Sequence, residues 1–174
     1  MKRLLLLRHA KTEPLGPDIE DHERELMTRG RLDAPAIGAY LAAKRYFPDL
    51  ILSSTARRTV ETVELLIEKL PRKQHVEYTD RLYLAGSREM LAVVRSAPAA
   101  VAILLLVGHN PGIEQLAASL SRQPVKRKER NRFDLIEEKF PTCALAVLDF
   151  DVVRWRDVPP GRGELIDFVR PRDL

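Results

Sequence analysis

Two of the four histidines in this 174-residue chain stand directly after apolar runs. His9 follows Leu4-Leu5-Leu6-Leu7-Arg8, and His109 follows the run Ile103 to Val107 and Gly108. An imidazole can accept a transferred group or move a proton near neutral pH. A third segment has the same form: Leu50-Ile51-Leu52 leads into Ser53-Ser54-Thr55 and then Arg57-Arg58. If the apolar runs are parallel strands, the residues after them gather at the carboxyl edge of the sheet, where open α/β sheets bind ligands. Arg8, His9, Arg57 or Arg58, and His109 then converge on one point. Guanidiniums and imidazoles without a cluster of carboxylates suit a phosphoryl dianion, held bidentately by arginine and at helix N-termini.

Each of these residues also has a plainer reading. A histidine at a strand end can be a hydrogen-bonded structural group, and an arginine pair on a helix can be surface charge. Their recurrence after successive strands favours chemistry. Metal coordination is disfavoured, because His9, His22, His75 and His109 form no i, i+3 or i, i+4 pair and no HExxH. Gly108-His109-Asn110-Pro111-Gly112 lacks the Gly-Lys-Ser/Thr ending of a P-loop.

The elements that must position these residues follow from periodicity. Lys2 to Leu7, Leu50 to Leu52, Val76 to Thr79, Ala102 to Val107 and Ala144 to Phe150 read as strands, most of them apolar throughout, as expected when both faces of a sheet are covered. Helices are predicted over Gly30 to Lys44, Ala56 to Leu70, Ser87 to Ser96 and Ile113 to Leu120. Ser87 is the expected N-cap of the third, and Asn110 that of the fourth, with Pro111 at its first position. Trp155 to Val169 is expected to add an edge strand. The alternation predicts a three-layer α/β fold, with a mostly parallel central sheet flanked by helices, in a single domain spanning 1–174. The polar stretch from Arg8 to Met27 is too long for a plain connection, and its length alone suggests a functional loop.

Composition narrows the function classes. With 45% hydrophobic and 31% charged residues the chain has globular character. The run from Ala99 to Val107 is about half of the ~20 apolar residues a membrane helix needs, and the apolar start is cut short by Arg8, His9 and Lys11. A cytoplasmic, membrane-free protein is the expectation. Cys143, the single cysteine, excludes an internal disulfide and reads as a small buried hydrophobe. Net charge is +4, and Arg122 to Arg132 holds six Lys/Arg against one Glu. That suits an anionic partner, but without interleaved aromatics it reads as a solvated loop or helix face rather than a nucleic-acid site.

Leu5-Leu6-Leu7-Arg8-His9-Ala10-Lys11-Thr12 resembles the opening Arg-His-Gly motif of the histidine phosphatase superfamily, with Ala10 in place of glycine. Ser54 to Thr62 resembles the family's S-P-x-x-R-A-x-x-T segment, whose arginine falls on Arg58, with departures at Thr55 and Thr59. Val107-Gly108-His109-Asn110-Pro111 resembles its second histidine motif, and Arg24 to Gly30 is similar to the R-x-L-T-x-x-G stretch of its small bacterial branch. The resemblance runs through nearly the whole chain, in family order.

It implies a phosphoglycerate mutase-like fold and a phosphatase without metal or other cofactor. His9 would be the nucleophile, while Arg8, Arg58, His109 and Asn110 would hold the phosphoryl group. Asp80, in Asp80-Arg81-Leu82-Tyr83, aligns with the family's Glu-Arg-x-Tyr and would be the proton donor, with Asp18 and Asp21 as rivals; Tyr83 reads as a packing residue. The small size resembles the SixA-type phosphohistidine phosphatase branch. The expected substrate is a phosphorylated protein, with a small phosphoester as the alternative and inorganic phosphate as product. A phospho-ligand or nucleic-acid binding module without turnover is the competing class, disfavoured because a binder needs no nucleophile beside the clamp.

Overall fold

The computed structural model describes residues 1–174. Six strands form one sheet: β1 (Lys2–Arg8), β2 (Leu50–Ser54), β3 (Val76–Thr79), β4 (Ile103–Gly108), β5 (Leu145–Phe150) and β6 (Glu164–Val169). Their spatial order is β3-β2-β4-β1-β5-β6. β3, β2, β4 and β1 run parallel, while β5 is antiparallel to both β1 and β6. Five helices flank the sheet: α1 (Thr28–Lys44), α2 (Arg57–Ile67), α3 (Ser87–Arg95), α4 (Gly112–Leu120) and α5 (Arg127–Glu138). None is long and apolar enough to cross a membrane.

The three layers follow from strand alternation. Leu4 and Leu6 of β1, with Leu104 and Leu106 of β4, join a core that includes Met90, Val94, Ile113, Leu116 and Ile136 of α3, α4 and α5. Leu5, Leu7, Leu105 and Val107 point to the opposite core, with Ile37 and Leu41 of α1 and Val63 and Leu66 of α2. Because successive side chains leave a strand on opposite faces, an unbroken leucine run is what a doubly covered strand requires. The predicted edge strand is β6.

Two local expectations are corrected. Gly86, not Ser87, occupies the N-cap of α3, and Ser87 is already helical. Asn110 does not cap α4; Pro111 holds that position, and the Asn110 amide donates to Glu114 Oε2 and the Phe140 carbonyl. The basic run, read as a solvated loop or helix face, leads into the helix α5, whose buried residues are Glu129 and Ile136 alone.

Candidate active site

The register of β1 against β4 pairs Leu7 with Val107 and Arg8 with Gly108, so His9 and His109 leave adjacent strands side by side. Their ring centroids are 5.3 Å apart. β2 neighbours β4 and ends at Ser54, which carries the chain into α2 and sets Arg58 on its first turn. Arg8, His9, Arg58, His109 and Asn110 line one polar cleft of about 280 Å³, together with Lys11, Asp21 and Thr142. His9, Arg58 and His109 are 7%, 3% and 2% exposed, so the reactive groups lie at the bottom of the cleft. Arg57 faces elsewhere: it is half-exposed, with Nη2 2.8 Å from Glu25 Oε1. Neighbouring helical residues point about 100° apart, so one guanidinium enters and the other does not.

His9 is held as one tautomer. Its Nδ1 lies 2.8 Å from the Ala10 carbonyl oxygen, which can only accept, so Nδ1 carries the proton and Nε2 keeps its lone pair. Burial, opposed by that hydrogen bond and reinforced by His109, Arg58 and Arg8, lowers its pKa to about 3. The imidazole is therefore neutral and nucleophilic at physiological pH. Ala10 adopts an ordinary negative φ, which is why alanine can stand at the family's glycine position. Its N–H donates to Thr62 Oγ1 at 3.0 Å, tying the turn after His9 to α2.

His109 places Nε2 2.8 Å from Ser54 Oγ, while Ser54 Oγ also accepts the Ala56 N–H. The Nδ1 of His109 has no protein partner. Burial and the Arg58 charge, partly opposed by Asp21, lower the pKa of His109 to about 3. Arg8 donates through Nη1 to the Phe140 carbonyl at 3.0 Å, and burial lowers its pKa. Arg8 Nε and Arg58 Nε are likewise buried without partners. Arg8 and Arg58, two guanidiniums that keep their charge at physiological pH, line the same cleft as the two imidazoles. Such a lining suits an oxyanion.

The two aspartates differ from the sequence expectation. Asp80 is exposed and stands outside the cleft lining, its Oδ1 accepting from the Thr55 hydroxyl at 2.5 Å. Asp21 lies in the cleft. Its backbone oxygen accepts from Arg58 Nη1 at 2.6 Å and its Oδ2 from Arg58 Nη2 at 3.0 Å. Oδ2 also accepts from Tyr83 Oη at 2.7 Å, and Oδ1 from Arg24 Nη1 at 3.0 Å. Those hydrogen bonds overcome the burial penalty and hold the Asp21 carboxyl well below the usual carboxylate range. It is an anion rather than a proton donor. Tyr83 is thus engaged in the Asp21 network, a role its packing reading did not include.

Two further supports were hidden in the sequence. Gly30 lies so close to the segment after His9 that a Cβ there would meet the Lys11 carbonyl oxygen at 2.2 Å. The R-x-L-T-x-x-G-like stretch therefore ends on glycine because α1 packs directly on that backbone. Glu61 accepts the Leu26 N–H at 2.7 Å and anchors the return of the long loop. Cys143 is buried and its thiol pushed up by burial, consistent with the inert reading.

A family model described as histidine phosphatase superfamily (branch 1) matches residues 4–83. An uncharacterized protein of Mycobacterium tuberculosis is 36% identical over 170 residues, covering 95% of this chain and all of the relative. A counterpart in Mycobacterium leprae is 34% identical over 169 residues, again covering 95% of this chain and all of the relative. Among solved structures, one from Agrobacterium tumefaciens, assigned provisionally as the phosphohistidine phosphatase SixA, is 34% identical with a TM-score of 0.79, covering 98% of each chain. A second with the same provisional assignment, from Nakamurella multipartitia, has 29% identity and a TM-score of 0.81, covering 98% of this chain and 96% of that one.

Proposed function

The chain belongs to the histidine phosphatase superfamily, and from that premise we propose that it removes phosphoryl groups from phosphohistidine proteins through a phosphohistidine formed on His9. The observation that carries this reading is the cleft itself: a neutral His9 with Nε2 free, in a lining it shares with Arg8, Arg58 and His109. Nε2 attacks phosphorus, the N–P bond forms and the bond to the leaving group breaks. Water then attacks the phosphoenzyme, the N–P bond breaks and inorganic phosphate leaves. Arg8, Arg58 and His109 hold the equatorial oxygens through both steps, so the charge of the transition state is met by donors already in place.

Substrate choice follows from the leaving group. An alkoxide needs a positioned acid, whereas a phosphohistidine that already carries a proton on its other ring nitrogen expels neutral imidazole, the conjugate base of an acid of pKa near 6.5, far more easily. The cleft holds no protonated carboxyl: Asp21 is ionised and paired, and Asp80 stands outside. Phosphohistidine and activated aryl phosphates fit such a site better than sugar phosphates. The provisional assignments of the two structural relatives support the same substrate class.

The test is to mix the enzyme with a phosphohistidine peptide, quench at alkaline pH and map the phosphoryl group by mass spectrometry. It is expected on His9, and folded His9→Ala is expected to show neither the adduct nor turnover. kcat/KM should be higher for phosphohistidine than for alkyl phosphates, and EDTA should leave it unchanged. Turnover near the wild-type rate in His9→Ala removes the nucleophile assignment, and a strong preference for alkyl phosphates replaces the substrate reading with a small-molecule phosphomonoesterase.

A further inference from the structure

A second, larger cavity of about 470 Å³ borders the His9 cleft and shares Lys11 and Thr142 with it. It lies between the start of α1 and the segments that follow α5 and β6. Five cationic side chains line it, from Lys11, Arg29, Lys139, Arg170 and Arg172, against two carboxylates, Asp33 and Glu138. Two of the five are committed: Arg29 Nε lies 2.9 Å from Asp33, and Arg170 grips Asp173 with Nε and Nη2, each at 2.9 Å. Lys11, Lys139 and Arg172 have no carboxylate within ion-pair distance, and all three are exposed. The charge therefore arrives from three separate stretches of chain, beside a cleft already suited to an anion.

We propose that this cavity binds acidic side chains flanking the phosphorylated residue of a protein substrate, so that the phosphoryl group enters the His9 cleft while neighbouring carboxylates meet Lys139 and Arg172. This rests on the phosphoprotein reading of the site. A small phosphoester filling the 280 Å³ cleft would leave the larger cavity untouched, whereas a peptide running past Lys11 and Thr142 enters it. Three uncommitted cations favour carboxylates over an apolar or basic segment. Exposed pairs of this kind act on encounter and selectivity more than on the chemical step, and they weaken with salt.

The experiment compares peptides with the phosphorylated residue flanked by glutamates or by glutamines, prepared with phosphohistidine and separately with phosphotyrosine, an aryl phosphate. For the wild type at low salt, kcat/KM is expected to favour the glutamate peptides about 10-fold, mainly through KM. In Lys139→Ala/Arg172→Ala that ratio should fall towards one, while hydrolysis of p-nitrophenyl phosphate, which is too small to reach the cavity, stays unchanged and reports an intact site. Equal kcat/KM for both flanks in the wild type overturns the proposal, as does a ratio unaltered in the double variant. Inhibition by inorganic tripolyphosphate that depends on Lys139 and Arg172, without discrimination between the flanks, assigns the cavity to a small polyanion instead. Turnover of the phosphotyrosine pair alone removes the phosphohistidine reading but still decides the cavity. No turnover of either pair overturns both.

Discussion

The His9 cleft is built by two regions of opposite character. One is the carboxyl edge of β1, β4 and β2, whose strands are locked in a parallel ladder with Leu4 to Leu7 and Leu104 to Val107 fully buried. The other is the loop between β1 and α1, which reaches across to place Asp21 on Arg58. The sheet edge fixes His9, His109 and Arg58 against backbone that cannot move without opening the core. The loop contributes an anion that occupies Nη2 of Arg58, a residue of the proposed phosphoryl clamp. The first region supplies preorganisation, the resource that lowers phosphoryl-transfer barriers. The second supplies a contact that an incoming dianion must share or displace. Rigid and exchangeable parts of one site should therefore respond differently to substitution.

The largest effect is expected where the rigid region meets charge. Arg58→Ala should lower kcat/KM by about 10² or more, as loss of a preorganised transition-state donor commonly does. Arg57→Ala, which loses only half-exposed contacts with Glu25 and Glu61, should cost less than about 3-fold. Steady-state kinetics on a phosphohistidine peptide and on p-nitrophenyl phosphate check the pair, and the reverse ranking would shift the assignment by one residue.

The rigid region should also be recognisable by pH. His9 and His109 both have pKa values lowered to about 3, against about 6.5 in an unfolded chain. Between those values the unfolded chain binds more protons than the folded one. Stability is therefore expected to fall as pH drops from about 6.5 towards 3, with no contribution from these residues above about pH 7. Nitrogen-detected NMR at pH 5 should show both rings neutral, and His9→Gln should flatten the acid limb of stability measured by urea unfolding. Titration of either ring near pH 6.5 would show that burial and the arginines do not control it.

The sequence displayed the rigid region because its chemistry-bearing residues sit one or two positions beyond apolar runs, and a strand's end is a local property. The same locality made Arg58 separable from Arg57 only through motif spacing. Asp21 was legible as a rival proton donor but not as the partner of Arg58, since that contact spans 37 positions and depends on where the loop folds back. α5 escaped for a different reason: Phe133, Leu135 and Ile136 are its only apolar residues, packed on the core within one turn of an otherwise polar and charged helix, too short a stripe to stand out. The caps misread at Ser87 and Asn110 show the same limit. The tertiary demands on Asn110 from Glu114 and Phe140 outweigh its preference for capping.

For the exchangeable region a smaller effect of opposite sign is expected. Asp21→Asn keeps the backbone contact to Arg58 and a side chain of the same shape, but removes the negative charge that competes with phosphate. Inorganic phosphate should then inhibit about 3–10-fold more tightly, consistent with the modest worth of a partly exposed charge contact. Weaker inhibition in Asp21→Asn would make the carboxylate a positioning group for Arg58 rather than a competitor.

Asp80 should give the smallest effect and is the sharpest test of the leaving-group argument. It meets Thr55, whose hydroxyl also lies 3.0 Å from His22 Nε2, so its contacts belong to the rim where the loop touches the start of α2. A carboxyl outside the cleft lining is badly placed to deliver a proton to a leaving group held over His9, because proton transfer needs hydrogen-bond reach or a single bridging water. Asp80→Asn is therefore expected to change kcat/KM for phosphohistidine peptides by less than about 2-fold, since a phosphohistidine protonated on its other ring nitrogen releases neutral imidazole without a further acid. With alkyl phosphates the wild type itself should be slow, and the substitution should add little. A selective loss on alkyl substrates beyond about 10-fold would show that Asp80 reaches the leaving group in the bound state, making it the general acid that the family resemblance implies.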